Sequence, residues 1–161
     1  MTDQILAGVR AEADRATVHV EDVYDTSVED LWAAVTEPDR LARWIAEVSG
    51  DLRLGGGFRI RFTSSWDGLG SVLACEPPHR LMVATREESG SETVIEALVS
   101  QEGDRARLVV EERGLPVDDA PYHAAGWQVH LEDLGAMLAG REPSDWRTRW
   151  TELKPAYGIE G

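Results

Sequence analysis

At 161 residues the chain is long enough to bury a single core without staples, and its 30 acidic against 16 basic residues leave a net charge of -14. Such a surface repels phosphate backbones and anionic lipid, which argues against nucleic acid and membranes as partners. Cys75 is the only cysteine, so an internal disulfide and a thiolate metal site are excluded and a cytoplasmic setting is expected.

The first 15 residues carry Asp3, Glu12 and Asp14 and have neither the basic start nor the apolar core of a signal peptide. No apolar run approaches the roughly 20 residues of a membrane span. Residues 1–16 are read as an N-terminal extension, 17–140 as one domain and 141–161 as an amphipathic tail.

Thr17 to Tyr24 alternates Val18 and Val20 with His19 and Glu21, the pattern of a strand with one buried face. A helix follows, with Thr26 or Ser27 as its cap, Glu29 and Asp30 at its positive end, and Leu31, Trp32 and Val35 on its apolar face. Pro38 starts a second short helix carrying Leu41, Trp44 and Ile45. From Asp51 to Arg113 antiparallel strands are expected. Gly55-Gly56-Gly57 turns into a strand with Phe58, Ile60 and Phe62 on one face, and Asp67-Gly68 is read as a hairpin turn. Pro77-Pro78 ends the next strand, and Leu81, Val83 and Thr85 share a face of the one after. Turns at Ser89-Gly90 and Gly103-Asp104 bound two more strands, with Val94, Glu96 and Leu98 on one face and Leu108, Val110 and Glu112 on another.

After Gly114-Leu115-Pro116 a long helix is expected, capped by Asp118 or Asp119 and ended by Gly140. Trp127, Leu131, Leu134 and Leu138 follow at steps of four, three and four, which keeps them on one face. Gly126 beside Trp127 marks a place where a strand or a ligand comes close to the backbone. In the tail, Trp146, Trp150 and Leu153 form a short apolar stripe that must pack on the body or on a second subunit.

Several segments resemble one family. Trp32 to Trp44 fits W-x-A-x-T-x-P-x-x-L-x-x-W, and Leu54 to Arg59 resembles an x-x-G-G-x-F-R turn. Gly70-Ser71-Val72 with Pro77-Pro78 and Arg80-Leu81 fits a G-x-V…P-P-x-R-L hairpin, and Gly126-Trp127 with Leu131 and Leu134 a closing helix. Together these are similar to the proteins that resemble the activator of heat-shock-protein-90 ATPase, within the SRPBCC or START-like superfamily. The resemblance implies an α+β helix-grip fold, a curved antiparallel sheet of six to seven strands around a long C-terminal helix, with two short helices after the first strand. It also implies an apolar cavity between sheet and helix. This chain has Glu112 where many relatives place a histidine, and Arg86 where they carry an aromatic. A buried carboxylate at 112 needs a partner or a function.

No catalytic constellation can be read. His123 and His130 are seven residues apart on one helix, roughly 10 Å at 1.5 Å per residue, too far to share a metal ion. No cofactor and no metal are expected. Cys75, beside Glu76 and His79, is placed by alternation away from Val72 and Ala74 and reads as structural. The expected function is binding of a small apolar or amphipathic ligand in the cavity. Trp44, Phe58, Ile60, Phe62, Val72, Val83, Leu98, Val110, Tyr122, Gly126 and Trp127 line it, with Glu112 and His130 as its polar groups. Two alternatives stand beside it. One is a cyclase- or hydrolase-like enzyme in which Glu112, His130 or Tyr122 transfers protons; the other is a chaperone-regulating module. A homodimer or a chaperone would then be the tail's partner.

Overall fold

The computed structural model describes residues 7–87, 90 and 92–159. Eight antiparallel strands form one curved sheet, one or two more than expected. They are β1 (Gly8–Glu12), β2 (Arg15–Tyr24), β3 (Ala46–Gly50), β4 (Gly57–Phe62), β5 (Asp67–Glu76), β6 (Arg80–Arg86), β7 (Glu92–Glu102) and β8 (Arg105–Pro116). Across the sheet the order is β1-β2-β8-β7-β6-β5-β4-β3. Two short helices, α1 (Val28–Thr36) and α2 (Pro38–Leu41), leave β2 and return to β3, and the long α3 (Ala120–Leu138) packs on the sheet.

Local chemistry sets these boundaries. The Ser27 hydroxyl accepts the Asp30 N–H at 3.0 Å and caps α1. Asp119 precedes α3 but makes no side-chain cap, contrary to expectation; its backbone is already helical, which turns the carboxylate away from the first N–H groups. At the other end Gly140 has φ +74, and the N–H groups of Gly140 and Arg141 bond to the carbonyls of Met137 and Ala136. That glycine stop is the one expected.

The inner face of the sheet is dry. Ala16, Val18 and Val20 of β2 and Ala106, Leu108 and Val110 of β8 alternate into the core, where Trp127, Leu131 and Leu134 of α3 meet them. The outer face is charged. Glu111 accepts from His19 and Arg113 at 2.9 Å each, Arg113 reaches Glu96 at 3.2 Å, and Arg80 bonds both Glu96 and Glu76 at 2.7 Å. This lattice links five strands, β2, β8, β7, β6 and β5.

Four expectations need correction. β1 and β3 lie at the two sheet edges, where five exposed residues in one and a short stretch behind a helix in the other leave no alternation to read. Asp67-Gly68 belongs to β5. The turn lies earlier, with Ser65 at φ +80, and Gly68 lacks a Cβ because one would collide with the Trp66 ring and the Arg86 carbonyl. Leu98 is 38% exposed on the outer face, since Ala97 pairs with Val110 and Leu98 with Val109. β7 is apolar at both parities around Thr93–Ile95 and Ala97–Val99, so only the pairing fixes which side is in. In β5 the register shifts between Val72 and Ala74, which leaves Leu73 exposed and turns Cys75 inward beside Val72. Residue 89 of the expected Ser89-Gly90 turn, residues 1–6 of the extension and residues 160–161 lie outside the described residues.

The tail folds back on its own domain. Leu153 of α4 (Trp146–Leu153) packs with Ala125 and Val129 on the face of α3 opposite the sheet. Arg149 bonds Glu132 at 2.7 and 2.9 Å, and the Tyr157 hydroxyl donates to Gln128 at 2.6 Å. Hence α3 is buried on two sides, which its mixed apolar pattern reflects.

Candidate functional site

Two chambers lie between the sheet and α3. The inner one, about 150 Å³, is apolar and lined by Trp44, Phe58, Ile60, Phe62, Val72, Val83, Val110 and Trp127, all expected there. Strand alternation places the β4, β5, β6 and β8 residues; the indole of Trp44, after α2, is fixed by a 2.9 Å bond to the Ala34 carbonyl. Ile95, Ala97, Leu108 and Cys75 also line it, and Leu98 does not. The outer chamber, about 420 Å³, opens toward the start of α3 and includes Glu112, Tyr122, Gly126 and His130 from the expected set. Phe62, Ile95 and Trp127 line both chambers.

Glu112 is the polar centre. It is 6% exposed, yet its carboxylate is well supplied with donors. One oxygen accepts Trp127 Nε1–H at 2.9 Å and meets His123 Nδ1 at 3.1 Å; the other accepts the Thr93 hydroxyl at 2.8 Å. Thr93 in turn lies 3.2 Å from the Thr85 hydroxyl. His123 and Trp127 are four residues apart on α3, so one helix face presents both to the same oxygen. Burial alone would push the Glu112 carboxyl up, but the His123 hydrogen bond and charge, with the donors Trp127 and Thr93, bring it below its ordinary value. For His123 burial pulls down and Glu112 pulls up, and the pull of Glu112 prevails. The pair is held charged.

His130, one turn beyond Trp127, behaves oppositely. It is 5% exposed, and its ring centroid lies 5.6 Å from Trp127, 5.7 Å from Trp146 and 5.8 Å from Phe62. Burial in this aromatic cage drives its pKa down to about 3 against the weak opposing pull of Glu112, so the ring is neutral. Its Nδ1 is buried without a hydrogen-bond partner among the described residues, as is Trp146 Nε1.

Gly126 marks a close approach, as its sequence context suggests. The group that approaches is Trp146 of the tail: a Cβ on Gly126 would stand 3.2 Å from the indole Cζ2. Trp146 and Trp150 stack with centroids 5.5 Å apart and both line the outer chamber. Tyr122 stands at its mouth, 47% exposed, with its carbonyl accepting Trp150 Nε1–H at 3.2 Å. Sequence reasoning missed His123, Thr85, Thr93 and the two tail tryptophans as parts of the site. The i, i+4 spacing of His123 and Trp127 opposite an inward Glu112 is the signal that would have found the first. Cys75 and His79 do not form a dyad, since the His79 ring bonds the Val99 carbonyl at 3.2 Å and Cys75 faces the inner chamber.

Comparison with known proteins bears on the frame that holds these groups. Residues 25–139 match the family model described as activator of Hsp90 ATPase homolog 1-like protein. The chain belongs to this family. Its matched span runs from α1 to the end of α3 and includes the β3–β8 part of the sheet, while β1, β2 and α4 fall outside it. The crystal structure of CalU16 from Micromonospora echinospora is similar over 96% of this chain and 94% of its own, at 28% identity and TM-score 0.79. DynU16, from the dynemicin biosynthetic locus, aligns at 24% identity and TM-score 0.73, with 79% of this chain covering 48% of that one. The solution structure of the BPP1335 protein of Bordetella parapertussis aligns at 23% identity and TM-score 0.74, over 95% of this chain and 91% of its own. The last two support the helix-grip fold alone. No curated protein matches the chain. Among the described residues no helix is long and apolar enough to cross a membrane.

Proposed function

We propose that the protein binds a small amphipathic molecule, its apolar body directed toward the inner chamber and its polar end in the outer one. The observation that carries this reading is the buried Glu112 and its three donors, in the wall of an aromatic outer chamber that holds the site's polar groups and shares Trp127 with the apolar inner one. A carboxylate kept 6% exposed at a chamber wall is more than core packing requires, because an apolar residue would fill the same space without desolvating a charge. Membership of the activator-homologue family supplies the helix-grip frame but no ligand. The lone cysteine and acidic surface support a cytoplasmic protein.

Native mass spectrometry of the purified protein tests the reading directly, with a retained small molecule as the expected result. An apolar fluorescent probe should also bind saturably, and Ala97→Phe, which fills the inner chamber, should abolish that binding. Absence of both retained mass and saturable probe binding would sink the proposal.

A catalytic use of the chamber has one observation in its favour. Glu112 engages His123 at Nδ1, which leaves Nε2 able to give a proton to a bound molecule. Trp150 is bonded to Tyr122 and Leu153 is buried on α3, so the tail's apolar stripe is spent on its own domain rather than on a chaperone or a second subunit.

A further inference from the structure

We propose that the outer chamber contains a subsite for one uncharged oxygen acceptor, a carbonyl or ether oxygen on an otherwise apolar ligand, received jointly by His130 of α3 and Trp146 of α4. The proposal rests on the ligand-binding reading above and adds the chemical class of the polar end.

Two buried ring nitrogens, His130 Nδ1 and Trp146 Nε1, lack hydrogen-bond partners among the described residues, and they belong to adjacent rings with centroids 5.7 Å apart. Buried polar groups are nearly always paired, so two unpartnered nitrogens on neighbouring rings that line one chamber point to a polar atom from outside the chain. Indole nitrogen only donates. The atom it meets must therefore be an acceptor. A neutral imidazole with its proton on Nδ1 donates as well, and a carbonyl or ether oxygen has lone pairs for both donors.

Charge narrows the class further. The buried carboxylate of the wall, Glu112, is already matched by His123, and the wall's two other carboxylates, Glu87 and Asp119, add negative charge. An anionic ligand would meet repulsion there, and among the described lining residues the one cation, His123, is taken by Glu112, while Lys154 is engaged over the Trp150 ring; an ammonium group offers no lone pair to the indole. An uncharged oxygen satisfies both nitrogens at no electrostatic cost.

The tail is held so as to place Trp146 before any ligand arrives. Asp133, 3% exposed, accepts the Ser144 N–H and hydroxyl at 2.9 and 2.8 Å, Asp145 caps α4 through the Thr148 N–H, and Arg149 clamps Glu132. Gly126 leaves the gap that lets the indole reach α3. Such pre-organisation lowers the ordering cost of binding.

Equilibrium dialysis with two neutral probes tests this: the naphthyl ketone prodan, and the same dimethylaminonaphthalene without its ketone. Both should bind the parent. Trp146→Phe, which keeps a ring and removes the N–H, should weaken ketone binding about three- to tenfold, the worth of one hydrogen bond, and leave the ketone-free amine within about twofold. His130→Phe should do the same and serves if Trp146→Phe does not fold. If either folded variant weakens both probes equally, or neither, the subsite is refuted while the cavity reading stands. If the parent binds neither probe, the cavity reading fails and takes the subsite with it.

Discussion

Glu112 is the residue on which the site turns, and its environment makes a sharp prediction. Glu112→Ala leaves Trp127 Nε1–H, the Thr93 hydroxyl and His123 without their acceptor, so it should cost about 3 kcal/mol or more in chemical denaturation, whereas Glu112→Gln should cost less. The pH dependence has two opposing parts. Because the Glu112 carboxyl is held below its ordinary 4.5, its contribution is complete above that value and is lost as pH falls through the lowered one. His123 is raised from 6.5, so its contribution is complete below 6.5 and is lost as pH rises through the raised value. His130 is depressed to about 3, so the unfolded chain takes up a proton near 6.5 that the folded state refuses, and stability declines as pH falls from about 6.5 toward 3. Each pH unit in that window removes about 1.4 kcal/mol. Urea midpoints measured from pH 7 to 4 should therefore fall steeply in the parent and flatten in His130→Gln. An unchanged slope would mean that His130 titrates normally and is not sealed from water. At this scale Glu112, Trp127 and His130 stand out in the sequence because residue type conflicts with expected burial or because a large ring sits on the apolar stripe. His123 does not, because its spacing from His130 raises only the question of a metal and says nothing of a carboxylate on a strand.

Elements were legible wherever alternation or helical phase was unambiguous, as in β4, β8 and α3. The phase of β7 was not, since Leu98 and its neighbours are apolar at both parities and the answer lies in pairing with a strand that follows it. Leu98→Lys should accordingly shift stability by less than about 0.5 kcal/mol, while Val99→Ala, 2% exposed, should cost about 1 to 3 kcal/mol. The reverse ranking would put β7 back in the expected phase. The bulge at Leu73 is likewise invisible to a two-residue period, because one extra residue inverts every face after it. Within α3, Trp127→Ala removes a ring shared by two chambers together with the Glu112 bond, and a loss of about 3 to 5 kcal/mol is expected on denaturation. Gly126→Leu acts elsewhere than the sheet: its side chain would displace Trp146, so near-ultraviolet circular dichroism from the stacked Trp146 and Trp150 should change while the inner chamber keeps its volume.

At the scale of the molecule the tail and the charge make separate predictions. Removing the chain after Gly140 uncovers Ala125 and Val129 and deletes the Tyr157–Gln128 and Arg149–Glu132 bonds, so the melting temperature should drop by several degrees and the outer chamber should lose Trp146 and Trp150 from its wall. A truncated protein melting with the parent would show that the tail lends α3 no stability. With a net charge of -14 the protein should show no salt-sensitive retention on a phosphate matrix. The sheet order carries a consequence of another kind. β2 pairs along its whole length with β8, so that Val20 meets Val110 across a loop of about 90 residues, and no nearer strand than β1 is available to it. Closing that seam early in folding would require ordering its ends while everything between them is still loose. The β4 to β8 meander, built from neighbours in sequence, can assemble first and offer β8 as a finished template. Weakening β2 with Val20→Ala should then accelerate unfolding and leave the refolding rate nearly unchanged, which makes β2 the strand whose release sets how long the native protein lasts.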